Sequence, residues 1–314
     1  MCTAIFYKGG DSYFGRTLDL EYSFDEEVVI APKNFVFDFR HCGKCESHYA
    51  IIGIATVSDG YPLYYDAANE AGLAIAGLNF PKSAYFPPVC EGKTNLAPFE
   101  LIPYILGKYK SVDDVKAALE NINIASTDFS EKFKAAPLHF MIADKERSIV
   151  LESRRDGLHI FENNVGVLTN EPPFESQTAY LSTFVNLSAT EPCGENLISR
   201  GLGAIGLPGD FSSMSRFVRT AFILRNIDKG ENDILQFFRT LGSVEVPKGA
   251  VCLENGKRVI THYTTCFNLL KGICYYKTYN GFRIKSVDMR RENLDGDTLV
   301  RYPLNKYEDI LLQN

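Results

Sequence analysis

MCTAIFYKGGDSYFGRTLDL, residues 1–20, is the stretch on which the fold turns. Two short apolar runs, Ala4-Ile5-Phe6-Tyr7 and Tyr13-Phe14-Gly15-Arg16, flank Gly9-Gly10-Asp11. Apolar segments of that length around a glycine turn predict an antiparallel hairpin. The same twenty residues hold a cysteine directly after Met1, and a basic and an acidic residue, Arg16 and Asp19, on the returning strand.

Outward from the hairpin, the pattern predicts strands near 28–31, 35–39, 50–57, 63–67 and, after the Glu70-Ala71-Gly72 turn, 73–78. Helical spacing of apolar residues follows over 99–108. Ser111 opens a helix over 112–122, with Asp114 three residues on completing a capping-box-like start. A second block of strands covers 138–168 with a turn at Asp156-Gly157. Helices are expected over 176–187, 214–227 (with Ser212-Ser213 as caps) and 231–241. A hairpin over 261–270 and 273–279, turning at Lys271-Gly272, closes the chain. Strands and helices come in blocks, which marks an α+β protein with antiparallel sheets and not repeated βαβ units. A four-layer αββα sandwich of two antiparallel sheets would bury every apolar face, although periodicity alone leaves other α+β folds open.

No repeat or low-complexity linker divides the 314 residues, and we read 1–314 as a single domain. A hydrophobic content of 45% with 23% charged residues is ordinary for a globular chain and carries no disorder signature. The net charge of −6 has no basic stripe, which argues against nucleic acid or an anionic membrane as partner. The N-terminus lacks a basic segment followed by a long apolar run, and no apolar run approaches the roughly 20 residues of a membrane span. A cytoplasmic protein is therefore expected, with its eight cysteines as reduced thiols.

Cys2 follows Met1 with a small side chain, so trimming of Met1 would leave a thiol and a free α-amine on one residue. Such an amine has a pKa of about 7.7–8.0, against roughly 10.4 for lysine, and can act as a general base near neutrality. A thiol of pKa about 8.5 beside it needs little help to become the nucleophilic thiolate. The bland alternative is a chance cysteine on an edge strand. Hairpin geometry returns Arg16 or its neighbours beside Cys2. There a guanidinium would stabilise a thiolate, and the Asp19 carboxylate could hold the ammonium or orient the amine; an ordinary cross-strand ion pair is the alternative. Asn79 and Asn170 each end an apolar strand shortly before proline. They are either turn formers or donors to a developing oxyanion. Arg216 opens a helix beside Phe217 and Val218, where it is either solvated or turned inward to reinforce a positive field. The segment His41-Cys42-Gly43-Lys44-Cys45-Glu46-Ser47-His48 could ligate zinc or form a redox pair, but a solvated loop with incidental thiols is the expected reading.

Six stretches, MCTAIF, YFGRTLDLEYSF, YYDAANEAGLAIAGLNFP, GVLTNEPPF, GLPGDFSSMSRFVRTAF and LGSV, together resemble the choloylglycine hydrolase family, which contains bile salt hydrolases and penicillin V acylases. They span roughly residues 2–245 in order. The resemblance implies an N-terminal-nucleophile αββα fold. Cys2 would be nucleophile with its own amine as base, and Arg16 and Asp19 would tune and hold it. Asn79 (backbone N–H) and Asn170 (side-chain amide) would form the oxyanion hole, and Arg216 would complete the site. No cofactor and no metal is implied. Asparagine in GLNFP looks like the bile salt hydrolase type, where penicillin V acylases tend to carry tyrosine. A glycine- or taurine-conjugated bile acid is thus the implied substrate, with penicillin V or another small amide as the alternative. Loops 59–63 and 127–133 could hold the steroid. Residues 182–209 resemble the extension that links subunits in homotetramers, and loop 41–48 has no counterpart in the resemblance. The rivals from other classes are a steroid-binding protein without turnover and a thiol redox protein built on Cys42 and Cys45.

Overall fold

A computed structural model describes residues 1–194 and 199–314. Strand β1 (Cys2–Lys8) turns through the glycines into β2 (Ser12–Leu20), with Cys2 opposite Leu18 and Ala4 opposite Arg16. Next come β3 (Glu27–Ala31), β4 (Phe37–Phe39), β5 (Gly43–Cys45), β6 (Ile51–Ser58), β7 (Tyr61–Asn69) and β8 (Ala74–Asn79). A short β9 (Thr94–Leu96) precedes α1 (Leu101–Lys108), α2 (Val112–Leu119) and β10 (Ile122–Ile124). The second block holds β11 (Leu138–Ala143), β12 (Ser148–Arg154), β13 (Gly157–Glu162) and β14 (Val167–Leu168). Helices α3 (Phe174–Leu181), α4 (Ser213–Asn226) and α5 (Asp233–Gly242) lead to β15 (Ile260–Asn268), β16 (Ile273–Thr278), β17 (Lys285–Asp288) and β18 (Val300–Pro303).

Two large antiparallel sheets result. One has six strands in the order β14-β1-β2-β15-β16-β17, and the other eight in the order β13-β12-β11-β8-β7-β6-β3-β18. Alternation along the strands sorts the core into two clusters. Val28, Ile30, Ala74, Ala76 and Leu78 face Ala4, Phe14 and Leu18 of the other sheet. The intervening Val29, Ile75 and Ala67 face Leu101, Ile105 and Val115 of α1 and α2. Phe217, Leu224, Phe237 and Leu241 of α4 and α5 cover the free side of the six-stranded sheet. The layers are therefore helix, sheet, sheet, helix, the αββα sandwich expected. Both faces of each sheet are buried, which explains strands as uniformly apolar as AIAGL. Among the described residues no helix is long and apolar enough to cross a membrane.

The departures are local. The helix expected over 112–122 stops at Leu119, because residues 122–124 pair in parallel with β9. Ser111 Oγ accepts the Asp114 N–H at 3.1 Å, and the neighbouring Val112 N–H is taken at 2.8 Å by the carboxylate of Asp144 from outside the helix. The helix expected over 176–187 starts directly after Pro173 and ends at Leu181. Of the segment 182–209, residues 195–198 lie outside the described residues.

Candidate active site

Cys2 begins β1 and is 2% exposed. Met1 prolongs the strand: its ammonium donates to Asp19 O at 2.6 Å and its carbonyl accepts the Asp19 N–H at 3.0 Å. In an antiparallel ladder such a pair alternates with a non-bonded one, so the Cys2 N–H turns away from β2. It donates instead to Asn170 Oδ1 at 2.7 Å. That nitrogen is the atom that becomes an amine if Met1 is removed.

Arg16 shares a strand face with Leu18, opposite Cys2 and Ala4, and is 1% exposed. Its Nε donates to Thr17 O at 3.1 Å and its Nη1 to Gly77 O at 2.5 Å, while Nη2 has no hydrogen-bond partner among the described residues. Burial alone would lower its pKa, but the acidic groups around it, Cys2 foremost and then Tyr263, Asp66 and Asp19, raise it, so the guanidinium stays charged. Asp66 is a member of this site that sequence reasoning missed. It is fully buried and accepts from Tyr263 OH at 2.5 Å and Thr265 Oγ1 at 2.6 Å. Burial pushes its pKa up, and Arg16, Thr265 and Tyr263 pull it back. The available signal was a carboxylate inside the apolar run YYDAAN.

Asp19 lies three positions beyond Arg16 and therefore on the opposite face of β2. Its carboxylate accepts from Thr261 Oγ1 at 2.6 Å and Thr17 Oγ1 at 3.0 Å, and only its main chain touches Met1. The direct grip on the Cys2 nitrogen expected of Asp19 belongs to Asn170 in this structure. Burial raises the Asp19 pKa, opposed by Arg216 and by the chain's own ammonium.

Asn170 and Arg216 complete the cradle. Arg216 is fully buried, donating from Nε to Phe211 O at 3.0 Å, from Nη1 to Thr3 Oγ1 at 2.6 Å and to Cys2 O, and from Nη2 to Asn170 Oδ1 at 2.8 Å. Two donors thus converge on Asn170 Oδ1, which fixes the orientation of the amide. Its Nδ2 donates to Asn79 O at 2.8 Å and keeps one hydrogen in reserve. Asn79 closes β8. Phe80 N donates to Pro137 O at 2.7 Å, so strand alternation turns the Asn79 N–H toward the other edge. There it lies beyond Asp66–Ala76, the last pair joining β7 to β8. The Asn79 N–H and the second Nδ2 hydrogen are thereby available to an incoming oxygen.

The predicted loops meet nearby. Tyr61 packs on Phe129 with ring centroids 5.8 Å apart, and Phe133 reaches Phe24 at 6.0 Å. Phe24 also lies 6.4 Å from Tyr65, whose carbonyl is near Arg16 Nη1. Phe24 was not anticipated. In loop 41–48 the four side chains diverge: His41 bonds Thr127, Cys42 bonds Asn95 O, Cys45 bonds Ser47 O, and His48 bonds Tyr49 O and Phe35 O. Among the described residues no cluster of three or more His, Cys, Asp and Glu is placed to hold a metal. A cavity of about 980 Å³ lies elsewhere, between Phe6, residues 181–190 and α4, and contains none of the six predicted residues.

The sequence pattern of the linear amide C–N hydrolases, choloylglycine hydrolase family, matches residues 2–302. The chain is 45% identical to the bile salt hydrolase/transferase of Lactiplantibacillus plantarum over 97% of each chain. It is 39% identical to the bile salt hydrolase/transferase of Clostridium perfringens over 98% of each. A crystal structure of a variant of conjugated bile acid hydrolase from Clostridium perfringens superposes with a TM-score of 0.94 at 36% identity, covering 100% of both chains.

Proposed function

The chain belongs to the choloylglycine hydrolase family of linear amide C–N hydrolases, and from that premise we propose that it cleaves glycine- or taurine-conjugated bile acids with Cys2 as nucleophile. Once Met1 is removed, the Cys2 amine, held at Asn170 Oδ1, takes the thiol proton. The charge of Arg16 favours the thiolate. Attack on the amide carbonyl forms the C–S bond and pushes the carbonyl electrons onto oxygen. The Asn79 N–H and the spare Asn170 Nδ2 hydrogen receive that oxyanion. The ammonium returns its proton to the departing nitrogen, the C–N bond breaks, and glycine or taurine leaves. Water, deprotonated by the amine, then opens the thioester. Arg216 holds Cys2 O and Asn170 together, and Asp19 balances the positive charge behind them.

The observation that carries this reading is the double engagement of Asn170, which bonds the Cys2 nitrogen with its oxygen and the Asn79 carbonyl with its nitrogen. One side chain thus locks base and oxyanion donors into a single unit. The bile acid assignment is favoured by the named activities of the relatives and by asparagine at position 79. We extend the proposal to a single domain acting as a cytoplasmic homotetramer, for which the eight free thiols fit a reducing compartment.

Incubation with glycocholate, taurocholate and penicillin V, with the released amine or acid quantified, tests the proposal. Both bile salts should turn over faster than penicillin V. Cys2→Ala, and any form that keeps Met1, should be inactive. Robust turnover by material whose intact mass retains Met1 would sink the mechanism.

A further inference from the structure

Behind the two asparagines lies a buried polar pair that none of these steps uses. His139 of β11 and Glu152 of β12 are both fully buried, in strands otherwise filled by Phe140, Met141, Ile142, Val150 and Leu151. Placing an imidazole and a carboxylate in such surroundings costs several kcal/mol unless both are partnered. The partners are specific. His139 Nε2 donates to Thr169 O at 2.8 Å, and Nδ1 faces Glu152 Oε1 at 3.2 Å. The ring stacks on Phe80 with centroids 4.2 Å apart and planes 8° from parallel. Glu152 Oε1 also accepts the Phe174 N–H at 3.0 Å, which ties the pair to the start of α3, while Oε2 makes no hydrogen bond among the described residues and lies 3.7 Å from Arg154 Nη1.

Phe80 directly follows Asn79, and Thr169 directly precedes Asn170. One imidazole therefore touches both chain segments that present the oxyanion donors, although those asparagines are 91 residues apart. The asparagines bond each other from Asn170 Nδ2 to Asn79 O, and on the outer side Glu171 ties the same two segments by accepting from Lys82 N, Ser83 N and Ser83 Oγ. The stack on Phe80 and the bond to Thr169 O fasten them from the inner side, deeper in the sheet, next to the two donors themselves.

We propose that His139, oriented by Glu152, is a positioning residue that sets the separation of Asn79 and Asn170 and so holds the oxyanion hole in register. The proposal rests on the reading of those two asparagines as oxyanion donors. Misplacing a catalytic group by about 1 Å costs on the order of 100-fold in rate, and loss of one donor costs about 10²–10³.

The test compares His139→Gln and Glu152→Gln with the parent in kcat, KM and the rate of Cys2 alkylation by iodoacetamide, read from the mass of the N-terminal peptide. Alkylation at sulfur develops no oxyanion, so it reports the nucleophile alone. His139→Gln should lose at least about tenfold in kcat, with alkylation and KM within about twofold of the parent. Glu152→Gln, nearly the same shape and still able to accept from Phe174, should show a smaller loss of the same kind. It carries the test if His139→Gln does not fold. Unchanged kcat in the folded variants overturns the proposal, and so does a parallel loss of kcat and alkylation, which would mark general disruption of the site. Failure of the underlying reading would look different: Asn170→Ala, which removes the side-chain donor, would keep the kcat of the parent.

Discussion

At the residue scale, Arg216 shows why a charge alone is not enough. Its guanidinium reaches Phe211 O, Thr3 Oγ1, Cys2 O and Asn170 Oδ1 from three nitrogens held in one plane. Lysine keeps the charge but offers one nitrogen on a flexible stem, and cannot replace the fork. Arg216→Lys should therefore fold with a lower melting temperature and lose at least about tenfold in kcat, since each lost charge-assisted bond is worth about 1.5–3 kcal/mol. Steady-state kinetics and thermal denaturation check this; a variant with unchanged kcat would show that the contacts to Cys2 and Asn170 are dispensable. Five of the six expected residues stand out in the sequence as polar or thiol groups at the margin of an apolar segment, whereas Arg16 lies inside β2 and is singled out by the hairpin that returns it beside the start of β1. Asp66, His139 and Glu152 sit inside strands, where local pattern does not distinguish a buried functional carboxylate from a half-exposed edge position. Only the partners, Tyr263 and Thr265 for Asp66 and Thr169 for His139, separate the two.

At the scale of elements, the start of α4 decides where Arg216 points. Ser212 Oγ caps the helix through the Ser215 N–H, and Asp210 accepts from Ser212 N at 2.8 Å and Ser215 Oγ at 2.6 Å. Those bonds, Ser212 first and then Ser215, lower the Asp210 pKa from 3.8 to about 2. A carboxylate with a depressed folded-state pKa stabilises the fold above its ordinary pKa, and that stabilisation is lost as pH falls through the depressed value. The denaturation midpoint of Asp210→Asn should therefore lie below that of the parent at pH 6. The gap should start to close below about pH 4, where the unfolded-state carboxylate protonates. A gap independent of pH from 6 to 3 would exclude a charge-based role for Asp210. The first hairpin illustrates the same dependence on close fit: a Cβ at Gly15 would fall 2.1 Å from Thr265 O, so β2 and β15 can approach beside Arg16 only with glycine there.

At the scale of the whole molecule, the sandwich collects distant residues at one end. Cys2 starts β1, Asn79 ends β8, Asn170 follows β14 and Arg216 opens α4. The far side carries the 980 Å³ groove bounded by residues 181–190 and α4, and Val185 and Ile205 in the adjoining segment are 80% and 73% exposed. Apolar side chains left so open fit the proposed assembly through residues 182–209. Sedimentation equilibrium should return a mass four times that of the 35.2 kDa chain. A monomer at micromolar concentration would remove the tetramer from the proposal.

The sequence by itself determined the fold class, the antiparallel hairpins at both ends and the candidates for chemistry. Alternation and turn residues are local properties, and they report which face of a strand is apolar. They do not report which strand lies alongside. Tertiary structure alone decided that β14 flanks β1, which hands the Cys2 nitrogen to Asn170 and leaves the Asp19 carboxylate to Thr261 and Thr17. It alone decided that Asp66, His139 and Glu152 are buried with partners far along the chain. The physical reason is the same in each case: a polar group can be buried only where a distant segment supplies its hydrogen bonds, and the identity of that segment is a property of the packed sheets.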